Sequence, residues 1–585
     1  MIRELLFIMR NFIFFIVLTV LINSCSSESE KQFEFAGGAI SLSIENQPST
    51  FIPRDVSDYY SAAVMTQVME GLVSMNPKDL TIQPQIASKW EISDDGLTYV
   101  FDIRKDIYFH PNKQLSEKNE RLLTVEDVRY SIEMACSKNS SGESPHAYSF
   151  LYKDVLLGAK EFFEGKANEI AGLKIEGAKV KLTLTQKDGN FLNKLANICA
   201  AISSSKLKNS KNQQEMIGTG PFMLSNFSQG SSPKMVLLRN PDYYELDEEG
   251  NTLPYLDSLT FHFQNRKIDQ LEMFENHQTD LILGLPTSRI TKMLEGRIKD
   301  FNSKPPLFVM YNNPLLLTNY YFFNMTDPRF ANVKVRQAFN YAINKEKLGH
   351  DVLRNQYSEM GNYGIVPPIS KIFKGYDFNV VKSYSYEYNP EKARQLLAEA
   401  GYPKGKGFGS VNLRFNIDDI HSAIADEFAQ QIFQVLNINV NIDGSTFEQK
   451  DEDATYCRGD IFRSAWAADY ASPETFLANF YGKNVPLSKN DPSRINQSRY
   501  VNATFDILFE QAKNSAKKTQ ALSFYSKAEK VLMQDPPFIP LWYSGDIQIV
   551  YSNVRNLHFN ALNLFVFKKV FKKEWTVEEY KKATN

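Results

Sequence analysis

Two hydrophobic spacings alternate along this chain. In GAISLSIEN (38–46) the apolar residues Ile40, Leu42 and Ile44 fall on every second position, which predicts a strand with one buried face. From Tyr59 to Met75 the spacing lengthens: Val64, Val68 and Leu72 recur every fourth residue, predicting a long helix. TYVFDIR (98–104) returns to a period of two through Tyr99, Phe101 and Ile103. Thr124, with Asp127 three residues on, then opens a helix in TVEDVRYSIEMAC, the acid lying where the helix dipole favours it.

The same grammar repeats after residue 285. Val335, Phe339 and Ala342 form a helical stripe, and Asn389-Pro390 with Gly401 brackets a compact helix. SVNLRFNI (410–417) and NINVNIDG (437–444) alternate on either side of the helical segment 423–436, a βαβ unit. PFIPLWYSGDIQIVYSN (537–553) predicts strands, and the last residues, 577–585, read as a frayed tail. Strands and helices that alternate throughout predict α/β lobes.

The N-terminus departs from this pattern. MIRELLFIMRNFIFFIVLTVLINSC has basic residues at Arg3 and Arg10, an apolar run from Phe12, and small residues before Cys25. The run is too short to span roughly 30 Å of hydrocarbon and reads as an export signal over residues 1–24. Residues 25–36 are polar and suit a tether. About 560 residues remain, too many for one core, so two or more lobes are expected.

Composition narrows the function. A net charge of -2 argues against a nucleic-acid partner. Cys136, Cys199 and Cys457 are widely spaced and form neither a disulfide framework nor a metal motif. The seven histidines show no ligand spacing, and no nucleophile-base motif is present. No cofactor, metal or catalytic residue is assigned.

One acid stands out. In SAWAADYASPETFLANFYG (464–482), Asp469 lies between Trp466 and Tyr470, ahead of a Ser-Pro break. It is either a cap or surface acid near Pro473, or a group held in aromatic surroundings to meet a cation. Arg463 is six residues earlier, and an intervening strand would put both side chains on one face. Its partner is either a ligand carboxylate or a protein acid. Arg458 is a weaker candidate. Tyr59 and Tyr60 either reach a cleft or fill the core. GTGPF (218–222) lacks the lysine of a phosphate loop and reads as a structural turn.

Eight segments together carry a family resemblance. Val68–His110, TVEDVRYSIE, GTGPFML, LRNPDYY, VRQAFNYAINKEKL, NPEKARQLLAEAGY, WAADYASPETFL and PPFIPLWY, in that order, resemble the extracytoplasmic solute-binding proteins of family 5, the peptide/nickel type of ABC importers. PNKQLSEKNERLL (111–123) and the stretch 365–388 depart from the family pattern. LINSC resembles a lipoprotein lipobox, which implies lipidation at Cys25 and a cell-envelope location, periplasmic or at the surface.

The resemblance implies the large two-lobed periplasmic-binding-protein fold (type II, cluster C-like) with hinge crossovers and a cleft between lobes. On this chain the first lobe is expected over 37–285 and the second over 286–534, with 535–585 returning to the first. It further implies a monomer that binds oligopeptides or dipeptides and passes them to an ABC permease. Asp469 would take the ligand's ammonium, with Arg463, Trp466, Tyr470, Tyr59 and Tyr60 as further ligand-binding candidates. Nickel complexes or oligosaccharides, and a surface-anchored hydrolase, are the competing readings.

Overall fold

The structure, a computed structural model, describes residues 32–139, 142–207, 216–286, 289–515 and 517–584. The export signal, Cys25 and most of the tether lie outside the described residues. No helix among the described residues is long and apolar enough to cross a membrane.

Two long antiparallel strands, Phe308–Phe323 and Phe538–Tyr551, organise the molecule. They pair from Phe308↔Tyr551 to Phe322↔Phe538, with an irregularity between Pro314 and Thr318. At one end, Phe538–Tyr551 joins the parallel strands Leu281–Leu283, Ala39–Ile44 and Ser258–Phe263, followed by Lys234–Arg239 and Phe222–Ser228. At the other end, Phe308–Phe323 pairs with Ile461–Ala467, and Val411–Asn416 and Val440–Ser445 follow in parallel. One mixed sheet thus runs through both lobes of an α/β fold. Neither long strand was legible as a single element. In Phe308–Phe323, Tyr320 and Phe322 face one core cluster while Tyr321 and Phe323 face another. With both faces covered, the sequence shows a continuous apolar run instead of alternation.

A separate antiparallel sheet in the first lobe contains Ala87–Ile92, Thr98–Ile103, Lys179–Thr183 and Leu173–Glu176. Tyr99, Phe101 and Ile103 turn inward from it. The helix Val125–Ala135 packs on its core, with Thr124 and Asp127 forming a reciprocal capping box. In the second lobe, Asn389 caps Pro390–Glu399 by accepting from Lys392 N–H. The helix Asp419–Leu436 joins the parallel strands Val411–Asn416 and Val440–Ser445 as the βαβ unit expected.

Two elements differ from the sequence reading. The helix beginning at Tyr59 stops at Met65, although Val68 and Leu72 remain buried. The GTGPF turn causes this: Gly220 N–H donates to Val68 O and Phe222 N–H to Gln67 O. A Cβ on Gly218 would stand 2.1 Å from Val68 O, so only glycine permits the approach. At the other end of the chain, Val577–Thr584 is a helix and not a frayed tail; Trp575 meets Tyr580 edge-on and Lys573 pairs with Glu579 at 2.6 Å.

Packing also shows where the lobes exchange chain. Met293, beyond the expected boundary at 285, packs with Leu271, Phe274, Ile282, Phe308 and Ile549. Phe567 and Val570 lie in the first-lobe core with Ile40 and Leu42.

Candidate functional site

Asp469 stands two residues beyond the strand Ile461–Ala467, in a bend before the short helix Pro473–Leu477. The strand ends too early for the parity argument, so alternation does not carry Arg463 and Asp469 to a common face. Ser472, not Asp469, caps the helix, accepting from Glu474 N–H.

Water reaches Asp469, yet burial among surrounding protein raises its carboxyl to about 6, against the opposing pull of a Thr475 hydrogen bond and the Lys194 charge. Exposure and desolvation coexist because the residue forms part of the wall of a gap, where protein has replaced much of the solvent shell. Trp466 Nε1–H donates to Thr475 Oγ1 at 2.9 Å. Tyr470 is buried, its ring 6.1 Å from Phe150 and 5.8 Å from Lys194 Nζ. Phe150 and Lys194 belong to the first lobe, so the two lobes meet beside Asp469.

Arg463 builds a second pole. It lies opposite Tyr321 in the sheet and donates to Asn416 Oδ1 at 3.2 Å and Asn319 Oδ1 at 3.3 Å. Its Nε is buried without an acceptor. Among the described residues no carboxylate lies within ion-pair distance of its guanidinium, so amide oxygens stand where a protein acid was one expectation. Burial, and then the Arg463 charge, lower the pKa of both His421 and Lys450. These groups gather at the carboxyl ends of the parallel strands Val411–Asn416 and Val440–Ser445, where open α/β sheets form ligand crevices. Arg458, by contrast, is occupied by Glu452 at 2.9 Å and Asp453 at 3.4 Å.

The sequence profile of the bacterial extracellular solute-binding proteins, family 5 middle, matches residues 81–486. The chain belongs to that family. It is 26% identical over 499 residues to heme-binding protein A of Haemophilus influenzae, covering 82% of each chain. It is 23% identical to the oligopeptide-binding protein OppA of Bacillus subtilis, covering 95% of this chain and 98% of that one. The structure of the periplasmic binding protein DppA of Helicobacter pylori, in complex with the peptide STSA, superposes with a TM-score of 0.72 at 23% identity, covering 92% of this chain and 99% of that one. The two-lobed family 5 fold is therefore the fold of this protein, and its general activity is solute binding.

Within that family 5 fold the expected site residues fall into three groups. Asp469, Trp466 and Tyr470 form one, and Arg463 the second. Tyr59 and Tyr60 form a third at the start of the helix Tyr59–Met65, their rings 5.4 Å apart. Both pack on the first-lobe core. The Tyr59 hydroxyl is buried without a partner and is pushed far up by burial, then by Asp546 and Glu45, so this pair faces the crossover strand Phe538–Tyr551.

Sequence reasoning missed Asp188, Asn190, Lys194 and Glu474. Lys194 Nζ pairs with Asp188 Oδ2 at 2.7 Å, and Asn190 Nδ2–H donates to Glu474 Oε2 at 2.5 Å. Asn190 and Glu474 are 284 residues apart, and no local spacing announces a contact over that distance. The enclosed cavities of the first lobe lie elsewhere, one lined by Arg54, Tyr152 and Cys199 and one by Glu70, Gln85 and Tyr243. Among the described residues no group of three or more acids, histidines or cysteines could hold a metal ion. Cys136, Cys199 and Cys457 are free thiols.

Proposed function

We propose that this protein is the substrate-binding lipoprotein of an ABC importer, capturing dipeptides or oligopeptides between its lobes and delivering them to a membrane permease. The observation that carries the reading is Asp469: an accessible carboxylate, desolvated by aromatic walls, at the seam between lobes. A buried ammonium costs several kcal/mol unless a carboxylate meets it, and a peptide's N-terminus is such a group. Arg463, lacking a protein acid, suits bidentate pairing with the carboxylate at the other end. Backbone amides between the two would add hydrogen bonds without strong side-chain selection.

The peptide names carried by two of the relatives support this choice of cargo, and a neutral sugar would leave both charges uncompensated. Lipidation at Cys25, a monomeric state and a cell-envelope location belong to the same proposal, as does the division into lobes. Its hinge is placed at the irregular register near Pro314–Thr318 of the crossover strands.

The test is calorimetry with one tripeptide in three forms: free, N-acetylated and C-amidated. The free form is expected to bind at least tenfold more tightly than either blocked form. Equal affinity for the free and acetylated forms would remove Asp469 from the ammonium role. A hydrolysed peptide recovered from the cell would replace binding with catalysis.

A further inference from the structure

The strongest unassigned feature is the buried polar group that the first lobe brings against Asp469. Lys194 is almost enclosed, its side chain 11% exposed, and its pair with Asp188 is equally buried. Lys194 lies over Tyr470, and the neighbouring Asn190 reaches Glu474 across the seam. Glu474 is buried and receives a second hydrogen bond from Tyr525 at 3.4 Å. The residue that supplies the first lobe's positive charge is thus fixed by partners from both lobes. A buried pair contributes little net stability but holds its charges in register.

We propose that Lys194 is a positioning residue of the ammonium subsite: from the first lobe it keeps Asp469 ionised before a ligand arrives, with Asn190 and Glu474 holding the lobes in register at that point. This deepens the peptide reading and rests on it. Glu474, Tyr470 and Thr475 face Asp469 from its own segment, Lys194, Asp188 and Cys199 from the first lobe, and Tyr525 stands behind Glu474. Lys194 is the only cation among them. Its positive charge opposes the burial that raises Asp469, so without it the carboxyl would hold its proton to higher pH.

The experiment measures binding of a free tripeptide at pH 7 and pH 6 to wild type, Lys194→Met and Lys194→Arg. Wild type is expected to weaken about twofold over that unit and Lys194→Met about fivefold, with Lys194→Arg following wild type. A lysine that merely supports packing would lower affinity equally at both pH values. A Lys194→Met ratio that stays at the wild-type twofold overturns the proposal. Should Lys194→Met fail to fold because Asp188 loses its partner, the double variant Asp188→Asn/Lys194→Met removes both charges and gives the same reading. Asp469→Ala separates the two claims: if it binds the free peptide as wild type does, the peptide reading itself fails. If it loses binding while Lys194→Met keeps the wild-type ratio, only the role of Lys194 falls.

Discussion

Glu529 and Asp469 are both second-lobe acids raised by burial, to about 7 and about 6. Their surroundings are opposite. Glu529 is fully enclosed, and its oxygens accept from Ile365 N–H at 2.5 Å, Val366 N–H at 2.7 Å and the Tyr376 hydroxyl at 2.5 Å. Its acceptor capacity is spent on holding the loop 364–366 against the helix Lys518–Gln534. Asp469 has a Thr475 hydrogen bond and the more distant charge of Lys194, and water reaches it. Burial alone therefore does not mark a site. What separates the two acids is capacity left over and access from outside, and the outcomes below turn on that difference.

The largest effect is expected at Asp469. Asp469→Ala should weaken binding of peptides with a free N-terminus by about 2–5 kcal/mol, the cost of leaving a desolvated ammonium unpaired. The unliganded protein should melt within a few degrees of wild type, because no fold-bearing contact leans on this carboxyl. N-acetylated peptides should lose little further affinity in the variant. Calorimetry beside thermal unfolding reads both quantities. Unchanged binding of the free peptide would place Asp469 with the bystanders.

Glu529 should respond in the opposite sense. Glu529→Ala leaves two buried N–H groups and a phenol without their acceptor and is expected to cost about 3 kcal/mol of stability by denaturant titration. Peptide affinity of the folded fraction should be retained. The pH dependence has a definite sign. Burial lifts the folded carboxyl from its ordinary 4.5 to about 7, so the folded chain keeps a proton that the unfolded chain releases. The stability this group contributes is present below about pH 4.5 and is lost as pH rises to about 7. Glu529→Gln should flatten that slope by up to ~1.4 kcal/mol per pH unit.

The contrast also explains what was legible in the residues themselves. Elements with one wet face announced themselves: Tyr99, Phe101 and Ile103 alternate, and Asn389-Pro390 with Gly401 marks a helix by its end chemistry. Phe308–Phe323 did not, because a strand covered on both sides has no alternation to show. Val68 and Leu72 kept a helical spacing that the close approach of Gly218 and Gly220 overrode. Asp469 was conspicuous through its aromatic neighbours and its family motif. Its first-lobe counterparts were silent, since Lys194 and Asn190 become meaningful only after folding closes 284 residues of chain between Asn190 and Glu474. Residues that complete a site across a seam carry no local pattern.

The smallest effect is the most discriminating, because it tests the ionisation of Asp469 without changing an atom. With a carboxyl near 6 in the unliganded protein, the ionised fraction falls from about nine-tenths at pH 7 to about one-tenth at pH 5. Affinity for a free peptide should drop about tenfold over that range, or roughly 1.4 kcal/mol. The peptide's own ends stay charged throughout, its amine titrating near 8 and its carboxyl near 3.5. His421, at the Arg463 pole, works in the other direction: any proton it gains on acidification strengthens attraction for a carboxylate. That contribution appears equally with the N-acetylated peptide, so the difference between the two peptides isolates Asp469. A tenfold narrowing of that difference between pH 7 and pH 5 ties recognition to this carboxyl, whereas a constant difference would assign the ammonium to some other group.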